Sequence, residues 1–299
     1  MKFRLIMIAL ILVFVNGCKE IKVPADFQIG SFSSEDIQKG LNIATNVYNA
    51  AKDLTPEQEY YIGRSVAANI LGRYRVYNNP DINNYVNKIG RLVTINSPKP
   101  EIFGGYHFTV LDSTEINAFA TPGGFVFITR GMLKMCKNED ELAAVLAHEV
   151  SHVQLKHGLK SIKESRLTAI ASKIGLDAAK EKIAKKYDSE ELREITDAFA
   201  DSLDDIVNTL VVNGYSRAYE KDADSYALNI LVNSGYSDYA MLGMLEKMDV
   251  LLLNDQRGFG STHPKASERI NLIRNAVRYK YSDIYINRTK RFKYFMKNV

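Results

Sequence analysis

The residues best spaced for chemistry are two histidines and a glutamate in the run His148-Glu149-Val150-Ser151-His152. On a helix, positions i and i+4 share a face, offset by about 40° and about 6 Å of rise, so both imidazoles can converge on one cation. Glu149 then lies beside the cation's open side, placed to take a proton from an activated water rather than to ligate. The chemistry this spacing serves is metal-assisted hydrolysis. The preceding residues, Ala143-Ala144-Val145-Leu146-Ala147, are small and apolar. The helix is therefore expected in the interior, where buried imidazoles need partners and a metal supplies one to each.

A hydrolytic zinc site takes three protein ligands and keeps one position open, so a further ligand is required. His157 follows His148 by nine residues, about 180° around a continuous helix, and is expected to be a cation near the helix C-terminus. His107 falls in an expected strand. Cys136, among Met132, Leu133 and Met135, reads as a buried apolar thiol. An acidic residue on a downstream helix remains. In the stretch from Tyr215 to Asp224, Glu220 and Asp224 share a face. Glu220 can then reach the metal while Asp224 accepts the outward N–H of a ligating histidine. Taken alone, the segment also fits a charged helix surface.

These side chains need elements to carry them. Asn138 can cap a helix whose first turn, Glu139-Asp140-Glu141, suits the positive end of the helix dipole, with apolar residues continuing to Gly158. Thr55-Pro56-Glu57-Gln58 is a helix start with Gly72 as a stop, and another helix is expected between Pro80 and Val93. Alternation over 106–110 predicts a strand, and 117–120, a Thr121-Pro122-Gly123-Gly124 turn and 125–129 predict a β-hairpin. Further helices are expected over 217–234 and 239–253, with Gly235 between them. Residues 159–212 are charged and helix-prone, as in a helical insert or lid. The fold class is α+β, mostly helical with a small sheet.

At the N-terminus, Lys2 and Arg4 precede eleven apolar residues, Leu5 to Val15, fewer than the roughly 20 a membrane-spanning helix needs. This predicts a signal peptide over 1–17. Val15-Asn16-Gly17-Cys18 resembles a bacterial lipobox, which implies lipidation of Cys18 and an anchor in a membrane. Residues 18–32 would be the tether and 33–299 a single domain. Cys136 is then the one remaining thiol, so packing and metal must supply the stability. The net charge of +4 names no polyanionic partner, and no nucleic acid is expected. The basic excess sits at the end, where Arg278, Lys280, Arg288, Lys290, Arg291, Lys293 and Lys297 face only Asp283. A solvated tail or a strand with one charged face is expected there.

Four segments together resemble a known family: NAFATPGGFVFITRGML (Asn117 to Leu133), ELAAVLAHEVSHVQLKHG (Glu141 to Gly158), YSRAYEKDADSYAL (Tyr215 to Leu228) and THPKASERI (Thr262 to Ile270). They resemble the HtpX-, BepA- and LoiP-like zinc metallopeptidases, related to the CAAX prenyl proteases and Oma-type proteases, and most closely the small lipoprotein branch. The resemblance implies a zincin-type (gluzincin) domain holding one Zn2+ through His148, His152 and Glu220, with Glu149 as general base. It implies that Asn117, Ala118, Phe119 and Ala120 form an edge strand to which substrate peptides add. It gives His263 a place at the metal in a latent state or at the reaction's oxyanion, and Arg269 a place near the same cleft. Implied substrates are misfolded or unassembled envelope proteins, met on the periplasmic side of a membrane, the outer membrane favoured. One rival is a non-proteolytic zinc-binding chaperone or assembly lipoprotein of the same fold. Another is a deformylase-like amidase, for which Cys136 lacks the surrounding sequence.

Overall fold

A computed structural model describes residues 54–164, 207, 210, 214–251, 263, 266–278, 284–297 and 299. The expected signal peptide, the tether with Cys18, and most of the 159–212 insert lie outside the described residues. Internal contacts group the chain into two units, Met1–Leu54 with Lys163–Ile195, and Thr55–Ile162 with Thr196–Val299. Every numbered strand and helix below belongs to the second.

Helix α1 is Pro56–Arg73, opened by a reciprocal cap in which Thr55 Oγ1 accepts from the Gln58 amide and Gln58 Oε1 accepts from the Thr55 amide. Helix α2, Pro80–Ile95, is capped by Asn79. Three strands follow: β1 His107–Leu111, β2 Ala118–Thr121 and β3 Phe125–Thr129, in the order β1-β3-β2. β2 and β3 pair antiparallel, as a hairpin requires, while β1 joins β3 in parallel. The connecting turn, Pro122–Gly124, needs its glycines: Gly123 has φ 71°, a conformation costly for other residues. It also presses on α1, where a Cβ on Gly63 would stand 1.7 Å from the Pro122 carbonyl oxygen. The mixed sheet thus leaves β2 at one edge, lying between α1 and the central helix.

That helix is α4, Glu139–Gln154, preceded by the short α3, Arg130–Met135. Every residue of α4 is buried. It packs against β2, α2 and three later helices: α5 Arg217–Asn233, α6 Tyr239–Leu251 and α8 Ile284–Met296, with α7 Ala266–Ala276 packed on α5 and α6. An α-helix enclosed on all sides is what its apolar stretch calls for, but it also buries the acidic first turn. Glu139 accepts from Tyr85 Oη at 2.7 Å, Tyr236 Oη at 3.0 Å and Arg291 Nε at 2.6 Å. Asp140 accepts from the Ser237 amide and from Arg288, both at 2.9 Å. Burial pushes Glu139 up, but hydrogen bonds from Arg291, Tyr85 and Tyr236 outweigh it and hold its carboxyl below the ordinary range.

Two expectations are corrected here. The basic C-terminus is neither a solvated tail nor a strand. Residues 284–296 form α8, with Phe292 buried and Phe295 stacked on Tyr85 at 4.2 Å between ring centroids. Its arginines answer the buried acids of α4. Second, α4 does not run on to Gly158. It ends at Gln154, Lys156 takes a positive φ of 57°, and a new helical stretch covers 157–164. A left-handed non-glycine residue costs roughly 1–2 kcal/mol, and here the turn brings Lys156 Nζ to 2.9 Å from Glu59 of α1. Among the described residues, no helix is long and apolar enough to cross a membrane.

Candidate metal centre

Among the described residues, His148, His152, Glu220 and His263 bring four donor atoms within 4.8 Å of one another, and all four residues are buried. The α4 helix places the first two, α5 places Glu220, and His263 stands three positions before α7. His148 Nε2 lies 3.0 Å from His152 Nε2, 3.5 Å from Glu220 Oε2 and 3.3 Å from His263 Nδ1. Glu220 Oε1 lies 3.3 Å from His152 Nε2 and 2.8 Å from His263 Nδ1. Ligand atoms about 2.0–2.1 Å from a tetrahedral zinc are about 3.4 Å apart. The donor set therefore has the spacing and the chemistry, imidazole nitrogens with a carboxylate oxygen, that fits zinc.

The outward faces of this cluster are held too. His148 Nδ1 is 3.0 Å from Asp224 Oδ1, one helical turn beyond Glu220 on α5. Arg269 of α7 reaches Asp224 through Nε and Nη2, both at 2.7 Å, and Glu220 Oε2 through Nη1 at 2.8 Å. The resemblance put Arg269 near the substrate cleft. The structure buries it at 5% exposure, with its guanidinium directed at the two carboxylates. Tyr215 stacks on the His152 ring at 4.0 Å, and its hydroxyl donates to the Ala120 carbonyl of β2 at 3.4 Å. β2 itself is buried along its whole length, and Asn117 before it is bonded to Thr129 through its backbone.

Glu149 stands apart. Both its carboxylate oxygens are buried without a hydrogen-bond partner among the described residues, and His263 Nε2 is 3.6 Å from Oε1. A buried carboxylate in that condition is costly unless something else, such as a water at the centre, engages it. Burial pushes its pKa up, against the opposing pull of His263 and His148. Glu220 is the reverse: burial alone would raise it, but His263, Arg269 and the two other histidines hold it well below the ordinary range.

His157 is where the chain departs most from its expected place. The left-handed turn at Lys156 carries it back toward α4, so that its Nδ1 lies 3.0 Å from His152 Nδ1. It is buried, stacked on Tyr219 at 4.6 Å, and burial lowers its pKa to about 4. It is thus a neutral contact of the cluster and not a cation at a helix end. No local motif marks it; its place follows from the turn of the chain at Lys156.

His148 yields a pH prediction. Burial lowers its pKa, but hydrogen bonds to Asp224 and Glu220 prevail and raise it to about 9. A metal held by His148 would have to displace that proton, whereas burial keeps His152 well below its ordinary value and already neutral. In metal-stripped protein, zinc affinity is expected to rise about tenfold per pH unit up to roughly pH 9. Calorimetry at pH 7 in buffers of different ionisation enthalpy should show about one proton released per zinc. The sign for stability is opposite: a raised histidine pKa favours the metal-free fold at low pH, and that contribution is lost as pH rises from about 6.5 through 9.

Two histidines a turn apart on a buried helix, a carboxylate from a second helix and a buried glutamate that makes no hydrogen bond among the described residues define the class of single-metal hydrolase sites. The chain belongs to peptidase family M48, whose profile matches residues 78–277. It is 28% identical over 236 residues to the Beta-barrel assembly-enhancing protease of Escherichia coli strain K12, covering 76% of this chain and 45% of that protein. It is 33% identical over 159 residues to the Mitochondrial metalloendopeptidase OMA1 of Schizosaccharomyces pombe, covering 52% of this chain and 42% of that one. To Metalloprotease YcaL of Escherichia coli strain K12 it is 26% identical over 171 residues, 57% of this chain and 62% of that protein. The chain thus spans less than two thirds of the length of each.

Proposed function

We propose that this chain is a zinc-dependent endopeptidase that cleaves misfolded or unassembled proteins of the cell envelope. The observation that carries it is Glu149, buried and without a hydrogen bond among the described residues, beside converging donors from His148, His152 and Glu220. A purely structural zinc site has no use for such a carboxylate. Bound zinc would polarise the scissile carbonyl and acidify water. His148, His152 and Glu220 would hold the ion, with Asp224 fixing the His148 tautomer and Arg269 holding both carboxylates in place. Glu149 would take the water's proton and pass it to the leaving amine. Its raised pKa suits that exchange.

Substrate would add as a strand along Asn117, Ala118, Phe119 and Ala120, which favours broad specificity. Envelope substrates are supported by the family and by relatives named for β-barrel assembly. A lipid on Cys18 would anchor the protein to the periplasmic side of a membrane, the outer one favoured. The test is cleavage of an unfolded protein such as casein by the purified chain and by its Glu149→Gln variant, with zinc measured in both.

A second reading has its own observation. His263 Nδ1 lies 2.8 Å from Glu220 Oε1, within the donor set. With His263 as a fourth ligand the centre would be in a resting state, closed as structural zinc sites are. His263→Ala should then keep zinc and raise cleavage several-fold. A drop of about 10²-fold or more would assign His263 to the oxyanion instead. No cleavage by either protein would favour a non-proteolytic chaperone or assembly factor of the same fold.

A further inference from the structure

Resting on the ligand set proposed above, we propose that His157 is a positioning residue which sets the tautomer of His152 through an imidazole-to-imidazole hydrogen bond. The two Nδ1 atoms are 3.0 Å apart, and both rings are buried. One proton must lie between them, because two facing lone pairs would repel and two facing N–H groups would clash. Which ring owns it follows from the other end of His152. Its Nε2 faces His148 Nε2 at 3.0 Å and Glu220 Oε1 at 3.3 Å, so its lone pair must be there if it is to ligate. A neutral imidazole with a free Nε2 carries its proton on Nδ1. His152 is therefore the donor, His157 Nδ1 the acceptor, and the proton of His157 sits on Nε2.

The surroundings hold both rings to these roles. Tyr215 stacks on His152 with ring planes 14° apart, and Tyr219 stacks on His157 at 16°. The break at Lys156 is what allows the pairing, since a continuous helix would carry His157 about 180° from His148. The two ligating histidines are thus oriented by different partners. His148 has the Asp224 carboxylate, which makes it the more basic ligand, and His152 has a neutral ring, which leaves it the weaker donor.

Zinc affinity by chelator competition, with nitrogen-15 histidine spectra of the zinc-loaded wild type, tests this. His157→Leu should weaken zinc binding by about 10–100-fold, and His157→Asn, whose Oδ1 can accept near the position of Nδ1, should recover most of the loss. The spectra should show His152 protonated at Nδ1 and His157 at Nε2. Wild-type affinity in His157→Leu, or a wild-type spectrum with the proton on His157 Nδ1, overturns the inference whatever the variants' folding. Undiminished zinc binding by His152→Ala would overturn the ligand set itself, and the His157 role with it.

Discussion

Glu149→Gln is expected to leave the zinc content of the purified protein unchanged and to lower cleavage of an unfolded substrate by about 10²–10⁴-fold, the usual contribution of a general acid–base group. Glutamine preserves the volume of a side chain that is fully buried, so the fold has nothing to refill. The donors that would hold the ion come from His148, His152 and Glu220, none of which the substitution touches. What is lost is an oxygen able to take a proton. Because burial raises the pKa of Glu149, the acidic limb of the wild-type rate profile should fall at higher pH than an ordinary glutamate would produce: the base is lost as pH drops through that raised value. Metal analysis and kcat/KM on the same preparations check this. Equal cleavage by both proteins would remove Glu149 from the chemistry.

Arg269→Ala should act on the fold and the metal before it acts on substrate. Its guanidinium is the buried cation bonded to both Asp224 and Glu220, and its loss leaves two buried carboxylates short of a counter-charge. Removing one partner of such an arrangement costs about 3–5 kcal/mol, a fall in Tm on the order of 10 °C for a domain of this size. Arg269→Lys should recover little, since an ammonium cannot make the bidentate contact with Asp224. Acid sensitivity supplies the sign. Burial would raise Asp224, but Arg269 and His148 overcome it and bring its pKa down to about 2 from 3.8. That contribution is present above about pH 4 and lost as pH falls toward 2. Without Arg269 the acid-unfolding midpoint should move to higher pH. If residue 269 instead served the substrate, KM would rise with stability unchanged.

The parts of the centre legible in the sequence are those that depend on neighbours a few residues away. His148, Glu149 and His152 are spaced by the helical repeat, and Asn138 caps the helix that carries them, its Oδ1 accepting from the Glu141 amide. The cap at Thr55 and the hairpin about Pro122–Gly124 are legible for the same reason. The charge run at the C-terminus was not. Seven basic residues are compatible with a tail, a strand or a helix until it is known that Glu139 and Asp140 are buried and need cations. Arg269 was placed by motif near a cleft, but its partners lie 45 residues away on Asp224.

His157 marks the boundary between the two kinds of information. Counting at 100° per residue puts it on the far side of the helix from His148, and the count is correct for a helix that continues. Whether it continues is decided at Lys156, which takes a positive φ and lies 2.9 Å from Glu59 on a helix nearly a hundred positions earlier. Local letters suffice for helix identity, capping and the turn-by-turn spacing of His148 and His152, because those depend on backbone geometry and adjacent side chains alone. The pairing of His152 with His157, the guanidinium across Glu220 and Asp224, and the burial that leaves Glu149 without a hydrogen bond among the described residues arise only when distant segments pack together. Each depends on which groups lose water and which partners then stand within about 3 Å to replace it.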